Sequence, residues 1–128
     1  MSETVLRRIG WGVSALFALF MLGASAAPKL LDLPVTHEVM TGLGWAEAPI
    51  LLIGIMEVAF TLLFLYPPTA LLGATLMMGL LGGALATNLQ GNAPLVSNTL
   101  FGVYLGAFMW LGLILRDPRI RAVFPFAR

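Results

Sequence analysis

Apolar residues run through this sequence in four long stretches, and the polar residues gather in the gaps between them. The stretches are Ile9 to about Ala27, Ile50 to Tyr66, Thr69 to about Thr87, and Thr99 to Leu115. A helix that crosses a bilayer needs about 20 mostly apolar residues, with a range of about 17–25, so each stretch reads as one span. Only one charge, Glu57, falls inside them. The pattern predicts an all-α, membrane-embedded antiparallel four-helix bundle that occupies the whole chain as one domain.

The gaps differ in chemistry. Pro67-Pro68 follows Tyr66, and because proline has no backbone N–H to donate, a tight turn is expected between spans two and three. Asn88, Gln90, Gly91, Asn92 and Pro94 form a polar turn before span four. The connection from Pro28 to Pro49 is the longest and carries Lys29, Asp32, His37, Glu38 and Glu47. Within it Thr36 is placed to cap a short helix bearing Val39, Met40 and Leu43 on one side, with Trp45 after it. Tryptophan favours headgroup depth, so this helix is expected to lie in the membrane interface.

Composition agrees with the pattern. Of 128 residues, 59% are hydrophobic and 10% charged, with a mean hydropathy of +0.96, whereas soluble domains carry about a quarter charged residues. The sum of charge is only +1, but its placement is uneven. Arg7, Arg8, Arg116, Arg119, Arg121 and Arg128 share one side of a four-span topology, and Lys29 stands alone on the other. The positive-inside rule therefore puts both termini in the cytoplasm. Arg7-Arg8, an apolar run and Ala24-Ser25-Ala26 also look like a secretory signal, but the run is longer than the roughly 7–15 residues of such a segment. It reads as span one.

Several chemistries are excluded. With no cysteine there are no disulfides, iron–sulfur clusters or thiolate nucleophiles, and one histidine, His37, cannot build a bis-histidine haem. His37, Glu38 and Asp32 are too few for a metal site, which usually takes three or four ligands. No basic run with interleaved aromatics suggests nucleic acid.

Membrane helices associate through close approach and a few polar contacts. Thr75, Gly79, Gly83 and Thr87 form a small stripe in span three, widened by Gly82 and Ala86; span four has Gly102 and Gly106, and span one has Ser14 and Ala18. Packing within one bundle is the expected use of these stripes, ahead of contact between two copies. Trp11, Trp45, Tyr66 and Trp110 are expected to act as interfacial anchors.

Glu57 carries the chemical interest. An acidic side chain at mid-depth costs about 2.5–3.5 kcal/mol on insertion scales, so it should face the bundle interior. Gly54 three residues before it, and Thr61, Phe60 and Phe64 after it, share its helical face. The face reads either as the wall of a cavity or as polar glue between helices. Lys29 is the candidate partner, although the two backbones would differ in depth by on the order of 10 Å; snorkelling to headgroups is the competing expectation for Lys29. Asn88 and Gln90, at the same end of span three, are candidates to complete a polar cluster, against ordinary turn chemistry. The candidate ligand-binding residues are thus Glu57, Lys29, Asn88, Thr61, Gly54 and Phe60.

A family resemblance rests on several segments together: the small-residue end of span one leading into Lys29-Leu30-Leu31; Leu43-Gly44 before a tryptophan; Ile53-Gly54-Ile55-Met56-Glu57; Pro67-Pro68-Thr69-Ala70-Leu71-Leu72-Gly73-Ala74; and Gly82-Gly83-Ala84-Leu85-Ala86-Thr87. In kind, order and spacing these resemble the DoxX-like family of small four-span membrane proteins across nearly the full chain. The resemblance maps that family's lysine and glutamate onto Lys29 and Glu57. Asn88 stands where many relatives have a histidine, which argues against histidine-dependent proton transfer here. The resemblance also implies a link to quinone-dependent or other membrane redox systems, and a bacterial cytoplasmic (inner) membrane as the location.

Three functions remain open from the sequence. One is an intramembrane pocket for an apolar molecule with a polar head, such as a quinone, isoprenoid or lipid, with no covalently bound cofactor. Another is a scaffold or assembly partner, alone or as a homo-oligomer. The third is a small enzyme with Glu57 as acid or base, which ranks last because no nucleophile has an adjacent base.

Overall fold

The computed structural model describes residues 1–127, in which every regular element is helical and no strand occurs. Helix α1, Glu3–Leu30, starts well before the first apolar stretch. Its start is set by Ser2, whose Oγ accepts from the Val5 N–H at 3.3 Å, with Glu3 in the first turn. Further along, Pro28 would press on the carbonyl one turn back in a regular α-helix. The chain widens there instead: Phe20–Ala26 is π-helical, with the Ala27 N–H bonded to Leu22 O.

Helix α2, Pro34–Gly42, lies in the long connection, where a short helix is expected. Thr36 is not its cap. Leu33 holds that position with Pro34 in the first turn, and the Thr36 hydroxyl donates back to Leu33 O at 2.7 Å. A proline in the first turn loses no helical hydrogen bond, which is why the helix starts there.

Helices α3, Ile50–Leu65, α4, Pro67–Gln90, and α5, Leu95–Arg116, complete the bundle, and α6, Pro118–Val123, follows. Both α4 and α5 begin earlier than the apolar stretches that mark them. Helix α4 opens with a 3-10 turn over Pro67–Thr69, and α5 with a π turn over Leu95–Thr99. The four long helices form a ring in which α1 packs on α5 and α3, and α4 packs on α3 and α5. Arg121 reaches Glu3 at 2.6 Å, so the two ends of the chain lie at the same end of the bundle. Arg128, counted with that end's basic residues, lies outside the described residues. Asp117 caps α6 by accepting from the Arg119 N–H at 2.9 Å. The Arg119 side chain also hydrogen-bonds that carboxylate and holds it below the usual carboxyl range.

Helices α1, α4 and α5 are long and apolar enough to cross a membrane. With 16 residues α3 is shorter, about 24 Å against a hydrocarbon core of about 30 Å.

The core sits towards the end that carries the termini. Phe17 and Phe64 meet edge-on with ring centroids 5.5 Å apart, and Met77, Met109 and Leu113 close around them without exposure. Small residues allow this approach in most of the expected places. A Cβ on Gly102 would lie 3.1 Å from Leu81 O, and one on Gly106 2.9 Å from Met78 Sδ; Gly112 meets Ser14 in the same way.

The stripe in α4 behaves otherwise. Thr75, Gly79, Gly82, Gly83 and Ala86 are exposed, and a Cβ on any of the three glycines would meet nothing within 4 Å. The expectation that this stripe packs inside the bundle is overturned. The packing contacts of α4 come from Gly73, Ala74, Met77 and Leu81, a neighbouring face.

Arg116 is also more than a flanking charge. It is 5% exposed, with its guanidinium 4.1 Å from the Trp11 ring centroid and 4.5 Å from that of Phe64, and it donates to Phe64 O. Trp11 therefore covers a cation, and Trp110 stacks on Phe124 at 4.2 Å. These two tryptophans thus make packing contacts near the ends of their helices.

Candidate functional site

At the end of the bundle away from the termini, α1 stays with α3 and α4 stays with α5, and a cavity of about 700 Å³ opens between the two pairs. The widened turn of α1 contributes Phe20, Met21, Ala24 and Ser25 to its wall. Helix α3 contributes Ile53, Met56, Glu57 and Phe60, while Val39, Met40, Leu43 and Trp45 approach from the long connection. Gly79 and Gly83 of the small stripe lie on the α4 wall, where the missing side chains leave volume.

The polar centre of this wall is an ion pair. Lys29 Nζ stands 3.0 Å from Glu57 Oε1, with side-chain exposures of 16% and 6%. The pairing replaces the expected snorkelling, and the reason is directional. Helical side chains lean towards the N-terminus, so the lysine stem runs back along α1 into the bundle, and its ammonium donates to Ser25 O at 3.0 Å and Ser25 Oγ at 3.1 Å, one turn earlier. That return closes the depth gap between the two backbones.

Gly54 permits the approach. A Cβ there would sit 3.0 Å from Lys29 Cβ and 3.3 Å from Leu30 Cδ2. Gly54→Ala is expected to push α1 away and cost about 1–2 kcal/mol, within the usual range for overpacking. Thermal unfolding in detergent would read this, and an unchanged midpoint would show that the contact yields freely.

The Lys29 ammonium donates two hydrogen bonds, both to Ser25, and stands in an ion pair with Glu57 Oε1. Glu57 Oε2 is buried with no hydrogen-bond partner. An unpaired buried acceptor is costly, and this one belongs to a residue on the cavity wall.

The remaining candidates divide. Asn88 lines the cavity and spends one N–H on Ala84 O at 2.8 Å. Phe60 lines it too. Gln90 is exposed and stands apart. Thr61 is fully buried outside the cavity wall, and its hydroxyl donates to Glu57 O at 2.6 Å. Ser25, Asn98 and Thr99 are wall residues that the sequence reading missed. Ser25 had a signal, since it precedes Lys29 by one helical turn. Asn98 and Thr99 had none, because the π turn that places them leaves no mark in the hydropathy.

The profile of the DoxX-like family matches residues 12–112. The chain belongs to the DoxX-like family. The match runs from α1 into α5 and includes the whole cavity wall. No curated protein and no solved structure matches the chain. Membership and the apolar helices together make this DoxX-like chain an integral membrane protein, surrounded by lipid.

Proposed function

We propose that this protein binds an apolar molecule with a small polar head, such as a quinone, isoprenoid or lipid, in the cavity beside Lys29 and Glu57. The observation that carries the reading is a buried ion pair, Lys29 with Glu57, on the wall of a mainly apolar space of about 700 Å³. Ligand sites typically enclose about 300–1,000 Å³ with a few placed polar groups, and this cavity has that size and character. Phe60 and Asn88 flank the head, Gly54 holds the pair together, and Thr61 fixes the α3 backbone behind Glu57. In this reading the termini face the cytoplasm, as the six-to-one asymmetry of basic residues favours. The cavity then opens towards the opposite leaflet, and α2 rests on the interface above it.

Native mass spectrometry from mild detergent tests this. The wild type is expected to carry a co-purified apolar molecule. Gly83→Phe, which adds bulk where nothing lies within 4 Å, should fold normally and lose at least nine-tenths of that adduct. Equal retention by both proteins would remove the cavity from consideration.

A further inference from the structure

A second pocket, of about 390 Å³, lies at the opposite end of the bundle, near the chain ends. Arg7, Trp11, Pro67, Arg116, Asp117 and Arg119 are on its wall. Arg7 and Trp11 are four residues apart in α1 and share a helical face. Arg116 closes α5, with its guanidinium 4.1 Å from the Trp11 ring centroid. Asp117 and Arg119 follow directly in the chain, and Pro67 opens α4 beside them.

Charge in this pocket does not balance. Asp117 is spent on Arg119, whose Nε donates to Oδ1 at 3.1 Å and whose Nη2 donates to Oδ2 at 2.8 Å. Neither Arg7 nor Arg116 has a carboxylate partner among the described residues. Arg116 is buried, and the Trp11 ring, the Phe64 ring and Phe64 O solvate its guanidinium without neutralising it. Two such cations on one concave wall repel each other, and a buried charge without a counter-charge is costly. An anion in the pocket relieves both costs.

Depth narrows the choice of anion. Arg7 stands just before the first apolar stretch and Arg116 directly after the last, so the pocket sits at headgroup level. We propose that it holds the phosphate of an anionic phospholipid, with exposed Arg7 contacting the phosphate oxygens and buried Arg116 supplying charge from behind. A planar guanidinium matches phosphate geometry. A zwitterionic head brings its own ammonium towards the same arginines, so the pocket favours a head of net negative charge. In the orientation proposed above it faces the cytoplasmic leaflet, whose anionic lipids attract basic groups. The site is independent of the cavity beside Lys29 and Glu57.

Native mass spectrometry of the intact protein in mild detergent, titrated with dioleoylphosphatidylglycerol or dioleoylphosphatidylcholine, tests the assignment. The first equivalent of phosphatidylglycerol should bind about tenfold or more tightly than that of phosphatidylcholine, as two unpaired basic groups at an anionic lipid would give. Arg7→Gln should abolish most of that preference. Arg8→Gln removes the same charge one residue away, from a side chain that does not line the pocket, and should keep it. Both positions are exposed, and circular dichroism checks that both variants fold. Equal loss in the two variants would show a diffuse basic surface and overturn the site, as would a wild type without preference or an Arg7→Gln that retains it. Displacement of phosphatidylglycerol by millimolar inorganic phosphate, but not by chloride at equal ionic strength, would overturn the lipid assignment in favour of a soluble phosphate.

Discussion

Lys29→Met is expected to lower folding stability by about 3–5 kcal/mol, the range seen when one partner of a buried ion pair is removed. The loss is large because the remaining carboxylate has no alternative. Glu57 is 5% exposed, its second oxygen already lacks a partner, and Lys29 is the cation that reaches it. Removing both charges is a different experiment. In Lys29→Met/Glu57→Leu the apolar replacements fill similar volume and leave no buried charge, so most of the loss should be regained. Equilibrium unfolding in mixed micelles, read by helical content, would measure the single and double variants side by side. A double variant no more stable than Lys29→Met would show that lysine packing, rather than charge pairing, holds α1 to α3. The pairing account also requires Glu57→Leu alone to be less harmful than Lys29→Met, since a lysine stem can redirect its head to the membrane surface.

The four spans were legible because hydropathy records the solvent, and lipid imposes a nearly continuous apolar requirement on each helix. Their ends were less so. Ser2, Pro67 and Pro94 set where α1, α4 and α5 begin, and these signals lie outside the apolar stretches. Glu57 was legible as an inward residue for the same energetic reason that made it conspicuous. Its geometry with Lys29 was not, because a depth estimate from backbone rise ignores which way a long side chain leans. Ser25 accepts the lysine one turn back, and Gly54 lets the stem pass; both facts belong to the packing of two helices.

The glycines show the same division. Equal spacing made the stripe at Gly79 and Gly83 look like the packing of Gly102 and Gly106. Spacing places residues on one face but does not say what opposes that face. Here the α4 stripe opposes empty volume, whereas Gly102 and Gly106 oppose α4 itself. The widened turn at Phe20–Ala26 was the other hidden element. Pro28 is its visible cause, yet a proline near a span's end is equally compatible with the helix stopping there.

Gly73→Ala should be the most damaging of the single-methyl changes, at about 3 kcal/mol. The added carbon would fall 2.7 Å from the Leu63 carbonyl carbon and 2.8 Å from Phe64 Cα, with the Phe64 backbone nitrogen nearer still. These are backbone atoms, so no side chain can rotate away. Nor can the helices separate freely, because Pro67-Pro68 joins them tightly and the Thr69 hydroxyl donates to Leu63 O at 2.8 Å across the turn. Displacing Phe64 would also disturb its edge contact with Phe17 and the carbonyl that receives Arg116. Overpacking usually costs about 1–3 kcal/mol, and a rigid junction belongs at the upper end. Gly82→Ala is the control: it meets nothing within 4 Å, and by lowering backbone freedom in a helix it should be neutral or stabilising by up to about 1 kcal/mol. Unfolding of the two variants under identical detergent conditions compares one methyl in two places. Similar midpoints for both would mean that α3 and α4 do not meet at Gly73 as closely as described, and the pairing of these helices at the proline turn would have to be redrawn.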